Sequence, residues 1–261
     1  MHVESLAWRT DLALLTLAGS TVEDHGNHLV VRTPDNPTFY WGNFLLLAEP
    51  PVAGAVDGWE DEFVREFPLA AHRAFGVDGA ERTTADLKPL VDAGYEVDGS
   101  SVMTAQAVHP PPRPNTEAEL RPLTSDDDWE QQVALALAGE GEWITPEFVV
   151  RRNEAQRALV EQGHGRWYGA FLDGRLLSSL GLLEASPGLA RFQEVKTHPD
   201  ARGQGLCGTL VHHASRWALD ELGATTLVMV ADPDYLAIRI YRSVGFRETE
   251  TQLAALRSPV H

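Results

Sequence analysis

The sequence predicts an α/β protein with a mixed sheet in two domains, and three observations support this. Its 261 residues are more than one average domain needs. Residues 109–114 have the sequence HPPPRP, a proline cluster that fits neither a helix interior nor a central strand. Beyond this cluster, segments with strand periodicity and helix periodicity alternate. We therefore predict a first domain at residues 1–108, a linker at residues 109–116 and a second domain at residues 117–261.

In the second domain, the sequence predicts the element order β-α-α-β-β-β-α-β-α-β. Thr124 and Ser125 start one helix, Thr145 with Pro146 starts the next, and Asp173-Gly174 marks a hairpin turn. We predict strands at residues 120–123, 166–172, 176–183, 190–197, 226–230 and 246–255. We predict helices at residues 124–137, 145–162, 205–222 and 236–244.

The first domain is smaller and less regular. We predict helices at residues 6–17, 59–67 and 85–93, and strands at 28–32, 39–47 and 95–105. The aromatic cluster at residues 37–44 is interpreted as core, with a wall of an acceptor pocket as the alternative. LVDAGYEVDGSSVMTAQ around Gly94 parallels IYRSVGFRETETQLAAL around Gly245. This weak repeat predicts that the first domain is a degenerate copy of the second, although short matches also arise by chance.

Composition and charge argue against several classes of protein. Hydrophobic residues make up 43% and charged residues 23%, which argues against global disorder. The net charge of −17 repels a phosphate backbone, so we expect no nucleic-acid partner. One cysteine permits no internal disulfide, and the dispersed histidines predict no metal. Without a signal peptide or an apolar stretch of about 18 residues, we expect a cytoplasmic protein with no membrane contact.

The stretch RGQGLCG at residues 202–208 lies between a predicted strand and a predicted helix. Glycines let the backbone approach a ligand closely, and the first turn of a helix offers unpaired N–H groups with the positive end of the dipole. The stretch therefore favours an anion site that suits a pyrophosphate. Gly203, Gly205 and Gly208 match G-x-G-x-x-G, but residues 198–202 separate them from the strand, which argues against a dinucleotide-binding fold.

Two motifs resemble those of the GNAT acyltransferase superfamily. Arg202 and Gly205 match its Arg/Gln-x-x-Gly-x-Gly/Ala motif, whereas Cys207 stands where glycine or alanine is usual. DYLAIRIYRSVGF at residues 234–246 is similar to its second motif, with Asp234 in place of asparagine. The resemblance covers residues 117–261 and implies a GNAT-like fold, with a degenerate GNAT-like module in residues 1–108.

The resemblance implies an N-acetyltransferase that uses acetyl-coenzyme A, without a metal, on a primary amine of a small molecule or peptide. Tyr241 matches the family's general acid. Glu194 is the candidate base, with Glu184 and a water chain as alternatives. The implied cofactor-binding residues are Val195, Lys196, Thr197, Arg202, Gly203, Gln204, Gly205, Cys207, Gly208, Thr209, Asp234, Ala237 and Tyr241. The first domain lacks the glycine motif and carries Asp57, Glu60, Asp61 and Glu62 instead, so we expect no coenzyme A there.

Two other functions stay open at this point. Cys207, Asp234 and the undetermined base are compatible with a non-catalytic module that binds or senses acyl-coenzyme A. Transfer of an amino acid from charged tRNA occurs in other tandem GNAT-like proteins, but the acidic charge argues against it. The sequence identifies neither the acceptor, the acyl chain nor the oligomeric state.

Overall fold

The computed structural model describes residues 1–139 and 145–258. Within these ranges the helices are α1 (Leu6–Leu17), α2 (Val56–Glu66), α3 (Lys88–Asp92), α4 (Asp126–Gly139), α5 (Pro146–Glu161), α6 (Leu206–Trp217) and α7 (Ala237–Arg242). The strands are β1 (Thr21–Asp24), β2 (His28–Arg32), β3 (Phe44–Leu47), β4 (Arg73–Val77), β5 (Glu96–Ala105), β6 (Glu119–Pro122), β7 (Gly165–Leu172), β8 (Arg175–Ser186), β9 (Leu189–Thr197), β10 (Thr226–Ala231) and β11 (Arg247–Arg257). In the described ranges, every helix is too short or too polar to cross a bilayer.

The first of two compact units comprises residues 1–102, 230–233 and 248–258 of the described chain. Its strands lie in the order β1-β2-β3-β4-β11-β5. Neighbours among β1, β2 and β3 are antiparallel, β3 and β4 are parallel, and β11 is antiparallel to β4. Helix α2 connects the parallel pair, because parallel strands need a crossover. All of β3 is buried, as is usual for a strand that is covered on both faces.

The second unit comprises residues 103–229 and 234–247, with strand order β5-β10-β9-β8-β7-β6. Strands β6 to β9 are antiparallel neighbours, and β9 and β10 are parallel with α6 as their crossover. Asp173 and Gly174 have φ values of 50° and 76°, which form the tight hairpin turn between β7 and β8. Trp129 of α4 packs with Trp167 of β7 in the core below this hairpin.

Most predicted elements are confirmed, and the α/β class with a mixed sheet is correct. The helix predicted at residues 205–222 ends as α-helix at Trp217 and continues as one π-helical turn, Ala218–Leu222. The strand predicted at residues 39–47 is wrong in its first half, because Tyr40–Gly42 form a 3-10 turn. The Asn43 side-chain amide donates to the carbonyls of Asn36 and Phe39 and closes this turn. Strands β1 and β4 were not predicted. Strand β1 is exposed throughout, so it lacks the alternation of buried and exposed residues that indicates a strand.

The aromatic cluster at residues 37–44 contributes to the core of the first unit. The rings of Trp41 and Phe44 both pack on Trp8 of α1, with centroids 6.3 Å and 5.4 Å away. Phe44 is completely buried. Tyr40 stacks on His72 at 4.4 Å. These contacts support the interpretation of the aromatic cluster as core of the first unit.

The weak sequence repeat corresponds to a repeated structure. The order α1-β1-β2-β3-α2-β4-α3-β5 recurs as α5-β7-β8-β9-α6-β10-α7-β11, with one parallel strand pair in each. Gly94 has φ 85° and Gly245 has φ 119°. The next N–H in each case donates back five residues, from Tyr95 to Leu90 at 3.0 Å and from Phe246 to Tyr241 at 3.1 Å. The short helix, glycine and aromatic residue thus form one local structure twice.

The compact units have boundaries other than the proline cluster. The sequence assigns residues 117–261 to the second domain, whereas most of β11 is in the first unit. The reason is strand pairing, because residues 253–257 are antiparallel partners of residues 73–77 in β4. The proline cluster itself lies within the second unit.

Candidate functional site

A cavity of about 720 Å³ lies beside the end of β9. Strands β9 and β10 are paired only from Leu189 to Arg191, although β9 continues to Thr197. The strands therefore part before the cavity. Its described lining is Pro111, Pro112, Arg113, Leu135, Gly139, Val195, Lys196, Thr197, Ala201, Arg202, Gly203, Gly205, Leu206, Cys207, Gly208, Tyr235, Leu236, Ala237, Ile240, Tyr241 and Ser243.

A β-bulge changes the direction of β9 just before the residues that line this cavity. Gly181 is opposite Gln193 and Ser179 is opposite Lys196, so β9 has one residue more than β8 in this interval. Glu194 within the bulge has φ 50°, a left-handed conformation that is uncommon for a residue other than glycine. The bulge immediately precedes the three strand residues that line the cavity.

The glycine motif forms the start of helix α6. Gly203 and Gly205 each have φ 78°, in the left-handed region that glycine adopts without strain. The first helical hydrogen bond runs from the Thr209 N–H to the Gly205 carbonyl at 3.1 Å. The N–H groups of the preceding turn therefore have no partner within the helix and carry the positive end of its dipole. A Cβ on Gly203 would meet nothing within 4 Å, so the surface beside it is open to a ligand.

The proline-rich segment packs directly on this helix start, which sequence analysis did not foresee. A Cβ on Gly205 would lie 2.5 Å from the carbonyl oxygen of Arg113, so only glycine fits there. The Asn115 N–H donates to the Thr209 hydroxyl at 2.8 Å, and its side-chain amide donates to the Gln204 carbonyl at 3.0 Å. Pro111 lies beside Gly208 in the same way. The segment predicted as a linker is therefore a wall of the cavity.

The charge of the cavity lining opposes that of the whole chain. Arg113, Lys196 and Arg202 line it, and its described lining contains no aspartate or glutamate. The complete chain carries a net charge of −17. Arg113 and Arg202 beside a helix N-terminus favour an anionic ligand, because both the side chains and the dipole attract negative charge, whereas the charge of Lys196 is balanced by Glu194 at 2.9 Å.

Tyr241 and Cys207 line the cavity close to each other. Burial, with smaller contributions from Cys207 and Tyr235, raises the pKa of Tyr241 well above its usual value. Burial alone raises the pKa of Cys207 to about 12. Both groups therefore carry their protons at neutral pH. A thiol that keeps its proton is a poor nucleophile, which argues against a redox role for Cys207. The residue is instead interpreted as a small packed side chain.

Glu194 pairs with two cations. Its carboxylate lies 2.9 Å from Lys196 Nζ and 3.2 Å from Arg152 Nη1, and its side chain is 17% exposed. Glu194 is not among the residues of the described lining. Glu184 is paired with Ala190 at the other end of β9, so roughly 20 Å of strand separates it from Thr197. The structure thus keeps Glu194 next to the cavity and removes Glu184 from it.

The remaining predicted cofactor residues fall into two groups. Ten are in the described lining: Val195, Lys196, Thr197, Arg202, Gly203, Gly205, Cys207, Gly208, Ala237 and Tyr241. Gln204, Thr209 and Asp234 are not. Gln204 and Thr209 bond to Asn115 instead, and Asp234 is exposed. Sequence reasoning missed Pro111, Pro112 and Arg113, because nothing in a proline run indicates which surface it covers.

The fold and the cavity define the class of protein. A mixed sheet with a parallel pair that parts beside a glycine-rich helix start belongs to the GNAT fold. Residues 129–246 match the model of the acetyltransferase (GNAT) family. The second half of the chain is therefore a GNAT domain, which in general indicates acyl transfer from an acyl-coenzyme A.

Solved structures extend the similarity over both halves. A GCN5-related N-acetyltransferase from Kribbella flavida aligns with a TM-score of 0.62 and 18% identity over 98% of each chain. A tandem GNAT protein from the clavulanic acid biosynthesis pathway aligns with a TM-score of 0.57 and 12% identity, over 97% of this chain and 94% of that one. A conserved protein of unknown function from Staphylococcus epidermidis aligns with a TM-score of 0.72 and 9% identity, over 93% and 96%. At these identities the likeness concerns the fold, and it agrees with the two-module organisation. The search of curated proteins finds no match.

Proposed function

We propose that the GNAT domain transfers an acetyl group from acetyl-coenzyme A to a primary amine of a small molecule or peptide. The observation that carries this proposal is the cationic cavity at the start of α6, beside the free end of β9. It combines an anion-binding helix terminus with an open strand edge, and a coenzyme A thioester requires both. The cavity supports the choice of acyl donor, and the amine acceptor rests on the family.

Each part of the cofactor has a matching part of the cavity. The N–H groups of residues 203–208 would hold the pyrophosphate, with Arg202 and Arg113 as counter-charges. Backbone groups of Val195 to Thr197, at the end of β9, would hydrogen-bond the amides of the pantetheine arm. Tyr235 and Leu236 are half or more exposed at the mouth and offer apolar surface to the adenosine part.

The amine attacks the thioester carbonyl directly, and two protons then have to move. The nucleophile is the neutral amine, since an alkylammonium with a pKa of about 10.4 has no free electron pair. Tyr241 is protonated, lines the cavity and donates its phenolic proton to the departing thiolate sulfur, after which solvent reprotonates the phenolate. Its raised pKa favours the neutral phenol, so the phenol remains a donor throughout the neutral pH range.

Glu194 is the proposed destination of the amine proton. The bulge holds it next to the residues that bind the thioester, and Lys196 and Arg152 fix the orientation of its carboxylate. Because Glu194 itself stands outside the described lining, the proton reaches it through an intervening water. Glu184 is too far along β8 to take this part.

Acetyl-coenzyme A turnover with a panel of amines tests the proposal. Free thiol release is measured with alkylamines, aminosugars and peptide amino termini, against a control without amine. Thiol release that depends on an amine, together with an acetylated product in the mass spectrum, supports the transferase. Tight coenzyme A binding without turnover on any of these classes would contradict it and favour the alternative, a non-catalytic acyl-coenzyme A binding or sensing module.

A further inference from the structure

In the first unit, the folded chain brings together three side chains of the types that bind transition metals. His25 lies in the turn between β1 and β2, His28 begins β2, and Glu62 lies on α2. One ligand atom of each lies within 4.8 Å of the corresponding atoms of the other two. His25 and His28 are only three residues apart, but Glu62 is distant in sequence, which explains why the sequence alone predicted no metal.

His28 is the central member, and its Nε2 atom is without a hydrogen bond in the described part of the chain. The side chain is 6% exposed, and this buried nitrogen lies 3.8 Å from Glu62 Oε1. That separation exceeds a hydrogen bond but is close to the roughly 3.4 Å between two ligands of a tetrahedral zinc ion. A buried polar atom without a partner is costly unless a ligand satisfies it.

Asn27 prepares His28 for metal binding. The Asn27 Oδ1 atom and His28 Nδ1 are 2.8 Å apart. An amide oxygen only accepts hydrogen bonds, so Nδ1 of His28 is the donor. The lone pair of the neutral ring is therefore on Nε2, the nitrogen atom that faces Glu62. Metal-binding histidines usually donate their other ring N–H to an oxygen in this way.

The surrounding charges favour a cation. The carboxylates of Glu23, Asp24, Glu62 and Glu66 surround His28 and His25, against the guanidinium groups of Arg32 and Arg65 and the N-terminal ammonium of Met1, which pairs with Asp24. Arg65 is the competitor, since it pairs with Glu62 across one helical turn. It is 64% exposed, so it can turn into solvent when a divalent ion binds Glu62.

We propose that His25, His28 and Glu62 form a site for one divalent transition metal ion of the zinc class. Two imidazoles and one carboxylate are a ligand set that zinc accepts, with water in the fourth position. The exposed His25 side chain closes the site by a rotamer change, whereas His28 and Glu62 are already positioned. The bound ion would join the β1–β2 turn to helix α2.

Calorimetry with Zn²⁺ on the full chain, after removal of metal with a chelator, tests the site. We expect one Zn²⁺ per chain. Affinity should fall by tenfold or more in His25→Ala and Glu62→Gln, and about 10–100-fold in Asn27→Ala, the residue that orients His28. His164→Ala, in the loop between α5 and β7, is the matched control and should bind as the parent does. Co²⁺ titration should give visible absorption bands of a tetrahedral ion.

Arg65→Gln separates metal binding from simple damage to the structure. It removes a competing positive charge and no ligand, so it should tighten Zn²⁺ binding severalfold. Circular dichroism in chelator checks that each variant is folded, and His25 is exposed enough that its loss leaves the fold intact. The proposal is overturned by absence of Zn²⁺ binding to the parent chain, or by unchanged affinity in both His25→Ala and Glu62→Gln.

Discussion

The backbone N–H of Asn115 donates a hydrogen bond of 2.8 Å to the hydroxyl of Thr209. The same hydroxyl donates to the Gly205 carbonyl at 2.8 Å, so Thr209 joins the proline-rich segment to the start of α6. Pro111, Pro112 and Arg113 line the cavity just before this bond. Hydrogen bonds therefore join the glycine loop to the proline-rich segment, and both bound the candidate anion site.

Thr209→Val tests this connection with a side chain of the same shape. It leaves the Asn115 N–H without an acceptor, and an unsatisfied donor costs about 1–3 kcal/mol. If the segment is part of the cofactor site, coenzyme A affinity should fall roughly tenfold, which corresponds to about 1.4 kcal/mol. Isothermal calorimetry with coenzyme A measures this affinity.

Thr209→Ser is the matched control, since it keeps the hydroxyl and both hydrogen bonds. It should bind coenzyme A within about twofold of the parent. Equal affinity of the valine variant and the parent would show that the proline-rich segment contributes nothing to the site.

Coenzyme A should bind at one site per chain. Only the second unit has the glycine motif. In the first unit, the equivalent helix α2 has Asp57 in its first turn, and Glu60, Asp61 and Glu62 follow it. Arg202→Glu should abolish binding, because it places a negative charge against the pyrophosphate. Arg151→Glu, an exposed position on α5, makes the same charge change away from the cavity and should leave affinity unchanged. A stoichiometry of two would refute the assignment of the first unit as a module without cofactor.

The sequence predicted the parts of the site that depend on local chemistry. The glycine loop, its place before α6 and the short helix with Tyr241 follow from residue types and spacing alone. It could not predict that the Arg113 carbonyl approaches Gly205, since a backbone contact between distant segments has no signature in residue type. The sequence also did not predict the ion pairs of Glu194 or the proximity of Glu62 to His28, because residue type does not show which side chains the fold brings together. Strand β11 was predicted, but its pairing with β4 depends on tertiary packing.

Asp128 should stabilise the second unit at neutral pH. Its buried carboxylate accepts two hydrogen bonds from Arg121, at 2.7 Å and 2.9 Å, and the backbone N–H groups of Thr124 and Ser125. These donors, with Arg121 first, hold the pKa of Asp128 well below its usual range. Asp128→Ala should lower the free energy of unfolding by about 3 kcal/mol, because the partly exposed Arg121 guanidinium and two backbone N–H groups lose their buried acceptor.

The pH dependence of this difference follows from the sign of the shift. A carboxyl whose pKa is lower in the folded state stabilises the protein above its unfolded pKa of about 3.9. The difference between parent and Asp128→Ala should thus be constant from pH 7 to about 5, and shrink as the pH falls below about 4. Asp127→Ala, the exposed neighbour, should cost less than about 0.5 kcal/mol. Denaturant unfolding at several pH values measures both.

Glu194→Gln distinguishes a base from a structural ion pair. Removal of a base lowers kcat by roughly 10²–10⁴-fold. Loss of the pairs with Lys196 and Arg152 alone would raise KM and change kcat little. Arg152→Gln removes one of those pairs while keeping the carboxylate, so it is the control. If both variants behave alike, Glu194 is a positioning residue and water takes the proton.

Tyr241→Phe tests the proposed acid. The phenol is protonated, because burial raises its pKa, and it lines the cavity. General acid catalysis contributes roughly 10²–10⁴-fold, so kcat should fall by an amount in or somewhat below that range. Coenzyme A affinity should change little, since the ring remains. Steady-state kinetics with an amine acceptor, and calorimetry with coenzyme A, measure the two quantities separately.

The dependence on the leaving group gives the sharpest form of this test. A more acidic thiol needs less protonation as it departs, so the loss in Tyr241→Phe should shrink with an acyl donor of lower thiol pKa. Cys207→Ala is the matched control, because it alters a neighbouring buried group that carries its own proton and should affect both donors equally. A kcat within about twofold of the parent, on an acceptor for which chemistry limits the rate, would make Tyr241 a packing residue and leave protonation of the thiolate to water.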